Sequence, residues 1–378
     1  MSLEWKTGFE IELVMPKGKS RLDLARRVAA RTGGTIHRVF HAQAELSSIA
    51  GKPTFQNLTP GFEVVGGDGE MIARFVDDLT LLDGFDLNAP PLPGWYRIVT
   101  DDSRLVSLIE AGCDPDAGME TVLEPLAAMF GTALERHSSG MAKVSDRKGS
   151  SVAIVAELSG ERERGCEIVT TPIASNHAEA LAALIDDAMA EGLTVPLEAA
   201  LHIHYDAAPL LSARTIARLV SALERYGEAL KDRVGTNPNC RRLGLWPDDL
   251  IDLVADEEFL AMDWPEARRA LQELALTKFC DFNLLNIAQA AKGKHTFEVR
   301  ILPVSLDAAE IVAQAELFAA ILEWALATDE GDLAEDFETF IGNLPLPPDA
   351  IARWGGIISS GGAGQAAREI NKIRGVGK

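Results

Sequence analysis

The stretch Gly8-Phe9-Glu10-Ile11-Glu12-Leu13 sets the fold, because its side chains alternate between apolar and acidic. Successive side chains of a strand point to opposite faces, so Phe9, Ile11 and Leu13 share one side and Glu10 and Glu12 the other. Three later stretches repeat the pattern. In Cys166-Glu167-Ile168-Val169-Thr170-Thr171-Pro172 the acidic residue is Glu167; in Leu201-His202-Ile203-His204-Tyr205 two imidazoles oppose three apolar groups; in Phe297-Glu298-Val299-Arg300-Ile301 an acid and a guanidinium do so. Laid side by side, these strands would gather Glu10, Glu12, Glu167, His202, His204, Glu298 and Arg300 on one sheet face, with apolar residues on the other. Such a face suits metal and phosphate chemistry.

Each element of that pattern also has a plainer explanation. Glu-x-Glu is commonly the solvated side of a half-buried strand. Two carboxylates about 6.5–7 Å apart on one face repel, however, and burying them requires cations or strong donors. A divalent cation is one such partner. Two imidazoles at His202 and His204 project the same way and can reach a metal or a nucleotide phosphate; the alternative is a pair of satisfied sheet histidines. Glu298-x-Arg300 reads either as a local ion pair or as a fork for a carboxylate or transferring phosphoryl group. His37, His41, His137, His177 and His295 have no companion pattern.

The chain has 378 residues, 47% of them hydrophobic, enough for a large core in one big domain or two. Its net charge of −21, from 36 Lys and Arg against 57 Asp and Glu, would repel a nucleic-acid backbone or an anionic membrane. Neither is an expected partner, although a local basic pocket remains compatible with a phosphorylated ligand. No stretch has the length of a bilayer span or the pattern of a secretory signal, so a cytoplasmic protein is expected. Cysteines 113, 166, 240 and 280 form no CxxC pair, which argues for reduced, mostly buried thiols and against a zinc-thiolate site.

Ser20 and Asp23 mark a helix start before an amphipathic run that Gly33-Gly34 stops. Residues 35–105 read as short strands and turns, with Asp101-Asp102-Ser103 as a turn and helix cap. Helical spacing covers 116–136, and further helices are expected from Asn176 to Gly192 and over 212–232, 267–276 and 306–327. The donor-rich loop Gly235-Thr236-Asn237-Pro238-Asn239-Cys240-Arg241-Arg242 places two cations in an acidic chain. The glycine-rich stretch 355–364 lacks the Gly-Lys-Ser/Thr ending of a phosphate-binding P-loop and reads as linker. The expected division is an α+β body over 1–330 and an appendage over 331–378.

In order along the chain, Gly-Phe-Glu-Ile-Glu, the tryptophan-containing strand ending in Asp-Asp-Ser, Glu-Ile-Val-Thr-Thr-Pro-Ile, Leu-His-Ile-His, Asn283-Leu284-Leu285-Asn286 and Thr-Phe-Glu-Val-Arg resemble the amidoligase family. That family is similar to glutamine synthetase and glutamate-cysteine ligase, and the likeness spans residues 7 to about 304. It implies a curved antiparallel sheet with helices on its outer face and a funnel for ATP, divalent metal (Mg2+ or Mn2+) and a carboxylate substrate. By the same likeness, Glu10 and Glu12 would take different metal ions, with Glu167 joining Glu12 and with His202 and Glu298 joining Glu10. His204 would lie near nucleotide phosphate and Arg300 near the transferred phosphoryl group. Arg241 and Arg242 stand as candidate nucleotide-binding cations without a matched family position.

The implied activity is an ATP-dependent carboxylate-amine ligase that forms an amide through an acyl phosphate, with Glu10, Glu298 and Arg300 at the reacting groups. Its substrates would be small-molecule, peptide or cell-wall-related carboxylates and amines. Two other classes fit the residues: a metal-dependent amide hydrolase, and a catalytically silent nucleotide-binding protein. The oligomeric state stays open.

Overall fold

The computed structural model describes residues 3–46, 54–289, 295–327 and 333–356. The glycine-rich stretch from residue 357 onward and the basic tail read above lie outside them. Twelve strands form one open sheet: β1 (Thr7–Val14), β2 (Thr35–Leu46), β3 (Thr54–Val65), β4 (Met71–Val76), β5 (Tyr96–Thr100), β6 (Glu135–Arg136), β7 (Ala142–Ser145), β8 (Ser151–Glu157), β9 (Gly165–Thr170), β10 (Leu201–Asp206), β11 (Phe282–Asn283) and β12 (Thr296–Leu302). Their order is β11-β12-β10-β1-β9-β4-β3-β5-β8-β7-β6, with β2 on the far edge of β3, and every pairing is antiparallel. The acid-bearing β1 is central, flanked by β9 and β10, with β12 next to β10. The fold is α+β.

Alternation decides which face is covered. Phe9, Ile11, Leu13, Ile168, Leu201, Ile203, Val299 and Ile301 belong to one buried cluster. The same cluster takes in Leu24 and Val28 of helix Arg21–Thr32, Leu181 and Leu184 of helix His177–Glu191, Leu219 and Leu223 of helix Ala213–Val234, and Phe318 and Leu322 of helix Ala308–Leu326. The helices therefore lie on the apolar face, which leaves the acid and imidazole face without them. Removing this much apolar surface from water, at about 25 cal/mol per Å², is what fixes the strand register. Helices Phe337–Gly342 and Pro348–Gly355 add Phe337, Phe340, Ile341 and Trp354 to that cluster, and Phe340 stacks on Tyr226 with centroids 4.5 Å apart.

Ser20 and Asp23 form the capping box of the first helix and Gly33 ends it in the left-handed conformation (φ 62°), as the sequence predicts. Two expectations are corrected. Thr35–Leu46 and Thr54–Val65 are two strands of twelve residues each, paired position by position, where short strands and turns are expected. Gly61 serves packing here, since a Cβ would stand 2.9 Å from Val76 Cγ1. The 116–136 stretch is helical only over Glu124–Phe130, because Gly131 turns left-handed (φ 67°) and strand β6 begins soon after. A second buried cluster, with Leu58, Tyr96, Ile98, Val144 and Val155, packs this outer end of the sheet beneath helices Ser103–Gly112 and Glu124–Phe130. All four cysteines are unpaired and three are buried. Among the described residues no helix is long and apolar enough to cross a membrane.

Candidate active site

Strand register builds the site. Glu10 pairs with His202 across β1 and β10, Glu12 with Glu167 across β1 and β9, His204 with Glu298 across β10 and β12, and Asn283 with Glu298 across β11 and β12. Directly paired residues share a face, so these positions meet as the alternation predicts. Glu10 is the hub: its two carboxylate oxygens lie 3.1 Å from His204 Nε2 and 3.2 Å from His202 Nδ1. His204 Nε2 also lies 3.8 Å from Glu298 Oε1, and His202 Nε2 3.8 Å from Glu12 Oε1. Arg300 Nη1 binds Glu298 Oε1 at 2.5 Å, while its buried Nε has no hydrogen-bond partner among the described residues.

Glu12, Glu167, His202, Glu298 and Arg300 are all buried. Burial pushes the Glu12 carboxyl well above the ordinary range, reinforced by Asp78 beside it, even though the Ala200 N–H donates to it at 2.7 Å. Burial likewise raises Glu167, with Glu10 adding to the effect. Glu10 shifts the other way: burial opposes its ionisation, but the imidazoles of His204 and His202 hold it well below the usual range. For Glu298, too, burial is outweighed, by His204 and Arg300, and its pKa falls. Burial, helped by Arg300, lowers the His202 imidazole and favours its neutral form, the form that ligates metals.

Two groups of ligand atoms lie within 4.8 Å of one another, Glu10 with His204 and Glu298, and Glu10 with Glu167 and His202. Carboxylate oxygens dominate both, with one imidazole each, a donor set that fits Mg2+ or Mn2+. The set implied by the family likeness, Glu10 with His202 and Glu298, also lies close, His202 Nδ1 being 3.2 Å from Glu10 Oε2 and 3.9 Å from Glu298 Oε1, while the two groups above arrange the same residues otherwise. Glu167 joins Glu10 in place of Glu12, and His204, in place of His202, joins Glu298. Glu10 stands opposite His202 in the ladder, and its carboxylate reaches both imidazoles of β10. Glu12 instead binds the Ala200 N–H and faces Asp78.

The two loop cations separate. Arg241 is exposed, whereas Arg242 Nη2 reaches both oxygens of Asp78 at 2.5 Å and Thr80 Oγ1 at 2.6 Å. One contributor, Asp78, escaped the sequence reading, and two more, Asn283 and Asn286, stood in the quoted motif order without a role. Asp78 is buried beside Glu12 and Glu167, and despite its burial Arg242 draws its carboxyl down to about 2. Asn283 Nδ2 donates to Glu298 Oε2 at 2.7 Å, and Asn286 Nδ2 to Thr296 Oγ1 at 3.2 Å, the hydroxyl that lies 3.3 Å from His204 Nδ1. The available signals were the Asp77-Asp78 doublet at the end of β4 and the Asn-x-x-Asn spacing ahead of β12.

His177 packs among Trp5 and Ile173 carbonyls on the helix side, away from these groups. Asp102 caps the helix that follows it, accepting from Arg104 N at 2.9 Å, so the plain reading of Asp101-Asp102-Ser103 accounts for that carboxylate. No curated protein matches the chain. Residues 3–322, however, match the family described as "Putative amidoligase enzyme" across most of the sequence, and the chain belongs to that family, whose name suggests an enzyme that forms amide bonds.

Proposed function

We propose that the protein is an ATP-dependent carboxylate-amine ligase that activates a carboxylate as an acyl phosphate and passes the acyl group to an amine. The observation that carries this reading is the pair of ligand groups sharing Glu10, set beside a buried guanidinium at Arg300. The clustered carboxylates repel one another in the absence of a cation, and the family name supplies the reaction class. A bound divalent cation supplies positive charge against the nucleotide's phosphates. Glu10, Glu167 and His202 would hold one ion, and Glu10, Glu298 and His204 a second.

Arg300 is kept in place by Glu298 and leaves one buried donor, Nε, for the phosphoryl group in transfer. Arg242, with Arg241 on the same loop, offers cationic contacts to the phosphates of ATP. The substrate carboxylate oxygen attacks the terminal phosphorus and ADP leaves. The amine nitrogen then attacks the acyl carbon, the carbon–oxygen bond to phosphate breaks, and the ammonium proton passes to a site carboxylate or to solvent. Small-molecule and peptide carboxylates and amines are the proposed substrate class.

The test is Mg2+-dependent ADP release with mixed carboxylate and amine pools, measured on the unaltered chain, Glu10→Ala and Glu298→Ala. Release that falls on the order of 100-fold in both variants is expected, since even outer-shell changes at metal sites cost about 10–100-fold. Equal release by all three would remove these residues from the reaction.

A further inference from the structure

Asp78 and Arg242 form the site's other charge pair, and the surrounding structure is built to hold it. We propose that Asp78 is a positioning residue that fixes the Arg242 guanidinium beside Glu12, ready to meet the phosphates of a nucleotide. This rests on the nucleotide-dependent reading above and assigns that reading a residue outside the acid and imidazole face.

Asp78 is clamped from several sides. Thr80 donates to its Oδ1 through both N–H and hydroxyl, at 2.7 and 2.6 Å. Arg162, buried below, grips the adjacent Asp77 with two bonds of 3.0 and 2.5 Å and donates to the carbonyls of Asp78 and Leu81 at 2.5 Å each. Gly165 makes this possible, since a Cβ there would stand 1.9 Å from Asp77 Oδ1. Gln43 accepts from Leu79 N at 2.9 Å. The turn presenting Asp78 is thus fixed independently of Arg242.

The segment carrying Arg242 is tied down as well. Thr236 Oγ1 donates to the Ile301 carbonyl at 2.7 Å, Asn237 Nδ2 to the carbonyls of Leu197 and Ala199 at 2.8 and 2.9 Å, and Gly244 N to Asp281 at 2.9 Å. Within the pair, the anion is the more deeply buried partner, with side-chain exposure of 5% against 19% for the cation. A buried anion thus holds a cation that ligands can still reach. A guanidinium already confined loses less freedom when phosphate arrives, which favours binding.

The test is calorimetric titration of Mg2+ with a non-hydrolysable ATP analogue into the unaltered chain, Asp78→Asn, Arg242→Gln and the double variant. Each single change is expected to weaken binding by the folded protein about 10-fold, comparable to the loss of an outer-shell partner. The double variant should bind no worse than either single, because the two residues act as one unit. Unchanged binding by Asp78→Asn, or losses that multiply to about 100-fold in the double variant, would overturn the proposal. If Asp78→Asn does not fold, Thr80→Ala reads the same link, since the Thr80 hydroxyl contacts both members; wild-type affinity there overturns it equally. No binding by the unaltered chain overturns the nucleotide reading itself and the Asp78 proposal with it, whereas normal binding with an indifferent Asp78→Asn sinks the proposal alone.

Discussion

Two clusters of buried charge meet at Asp77 and Asp78, neighbours in sequence whose carboxylates serve different sides of the molecule. On the helix side, Asp77 answers Arg162, and Arg21 donates to the carbonyls of Pro60, Arg162 and Gly165 while stacking 4.5 Å above Trp95. On the other side, the carboxylates of Glu10, Glu12, Glu167, Glu298 and Asp78 gather around the guanidiniums of Arg242 and Arg300 and the imidazoles of His202 and His204. The first cluster is held by Asp77 and by backbone carbonyls that accept from its two guanidiniums, and it reads as architecture. The second gathers five carboxylates against two guanidiniums, a surplus of acidic groups that the fold accommodates without a ligand by holding Glu12 and Glu167 toward their protonated forms. Ionising all of these buried acids together is costly in an isolated fold, so the cluster suits a ligand of the other sign.

The largest effect expected from this contrast is structural. Arg162→Ala leaves Asp77 buried without its partner, and removing one member of a buried pair typically costs about 3–5 kcal/mol. Denaturant unfolding should show a loss of that size; a loss below about 1 kcal/mol would mean that the helix-side cluster does not hold the Asp77–Asp78 turn.

In the site the effect to read is on activity. Glu10→Ala and Glu298→Ala are expected to lower ADP release per folded molecule about 100-fold, equivalent to about 2.7 kcal/mol of transition-state stabilisation. Removing Glu10 relieves repulsion on Glu167 and leaves two imidazoles free to be neutral. A variant that loses activity only in proportion to its loss of folded protein would place Glu10 among the architectural charges.

The pH dependence of stability separates the same groups. Glu12 and Glu167 have folded pKa values above their unfolded ones, so the stability they contribute is present below about 4.3, the ordinary glutamate value, and is lost as pH rises through their folded values. Glu10, Glu298 and Asp78 are depressed, so theirs is present above the unfolded value and lost on acidification, for Asp78 only as pH falls to about 2. EDTA-treated protein should therefore lose Tm as pH rises above about 4.3, with a smaller loss in Glu167→Gln and in the presence of Mg2+. A Glu167→Gln variant with the same slope as the unaltered chain would show that Glu167 ionises normally in the fold.

Much of this was legible in the chain because period-2 alternation is a local property. Glu10, Glu12, Glu167, His202, His204, Glu298 and Arg300 announce a shared face as soon as their strands are assumed to pair, and antiparallel pairing brings them together. What alternation cannot supply is register. Whether Glu10 or Glu12 lies opposite His202 decides which ligand atoms cluster, and that is set by the burial of Phe9, Ile11, Leu201 and Ile203 against helices distant in sequence. The length of β2 and β3 was hidden because Pro60-Gly61 carries a turn signature, yet both residues stay in the ladder opposite Phe40 and Val39. Asp78 was hidden because it sits beyond a strand end, where no periodicity reports on its direction.

The smallest effect tests how finely the site is tuned. Asn286 touches no group of the acid cluster; it donates to Thr296 Oγ1, and that hydroxyl meets His204 Nδ1. With Nδ1 engaged there, Nε2 is left facing Glu10 and Glu298, the orientation a ligating imidazole requires. Asn286→Ala should therefore weaken Mn2+ binding by roughly 10-fold, at the lower end of outer-shell effects, without moving Tm by more than a few degrees. Thr296→Ser, which keeps the hydroxyl, should restore near-normal affinity relative to Thr296→Val, which removes it. Equal Mn2+ affinity in Thr296→Ser and Thr296→Val would show that the His204 ring is held by its neighbours' packing and not by this hydrogen-bonded chain.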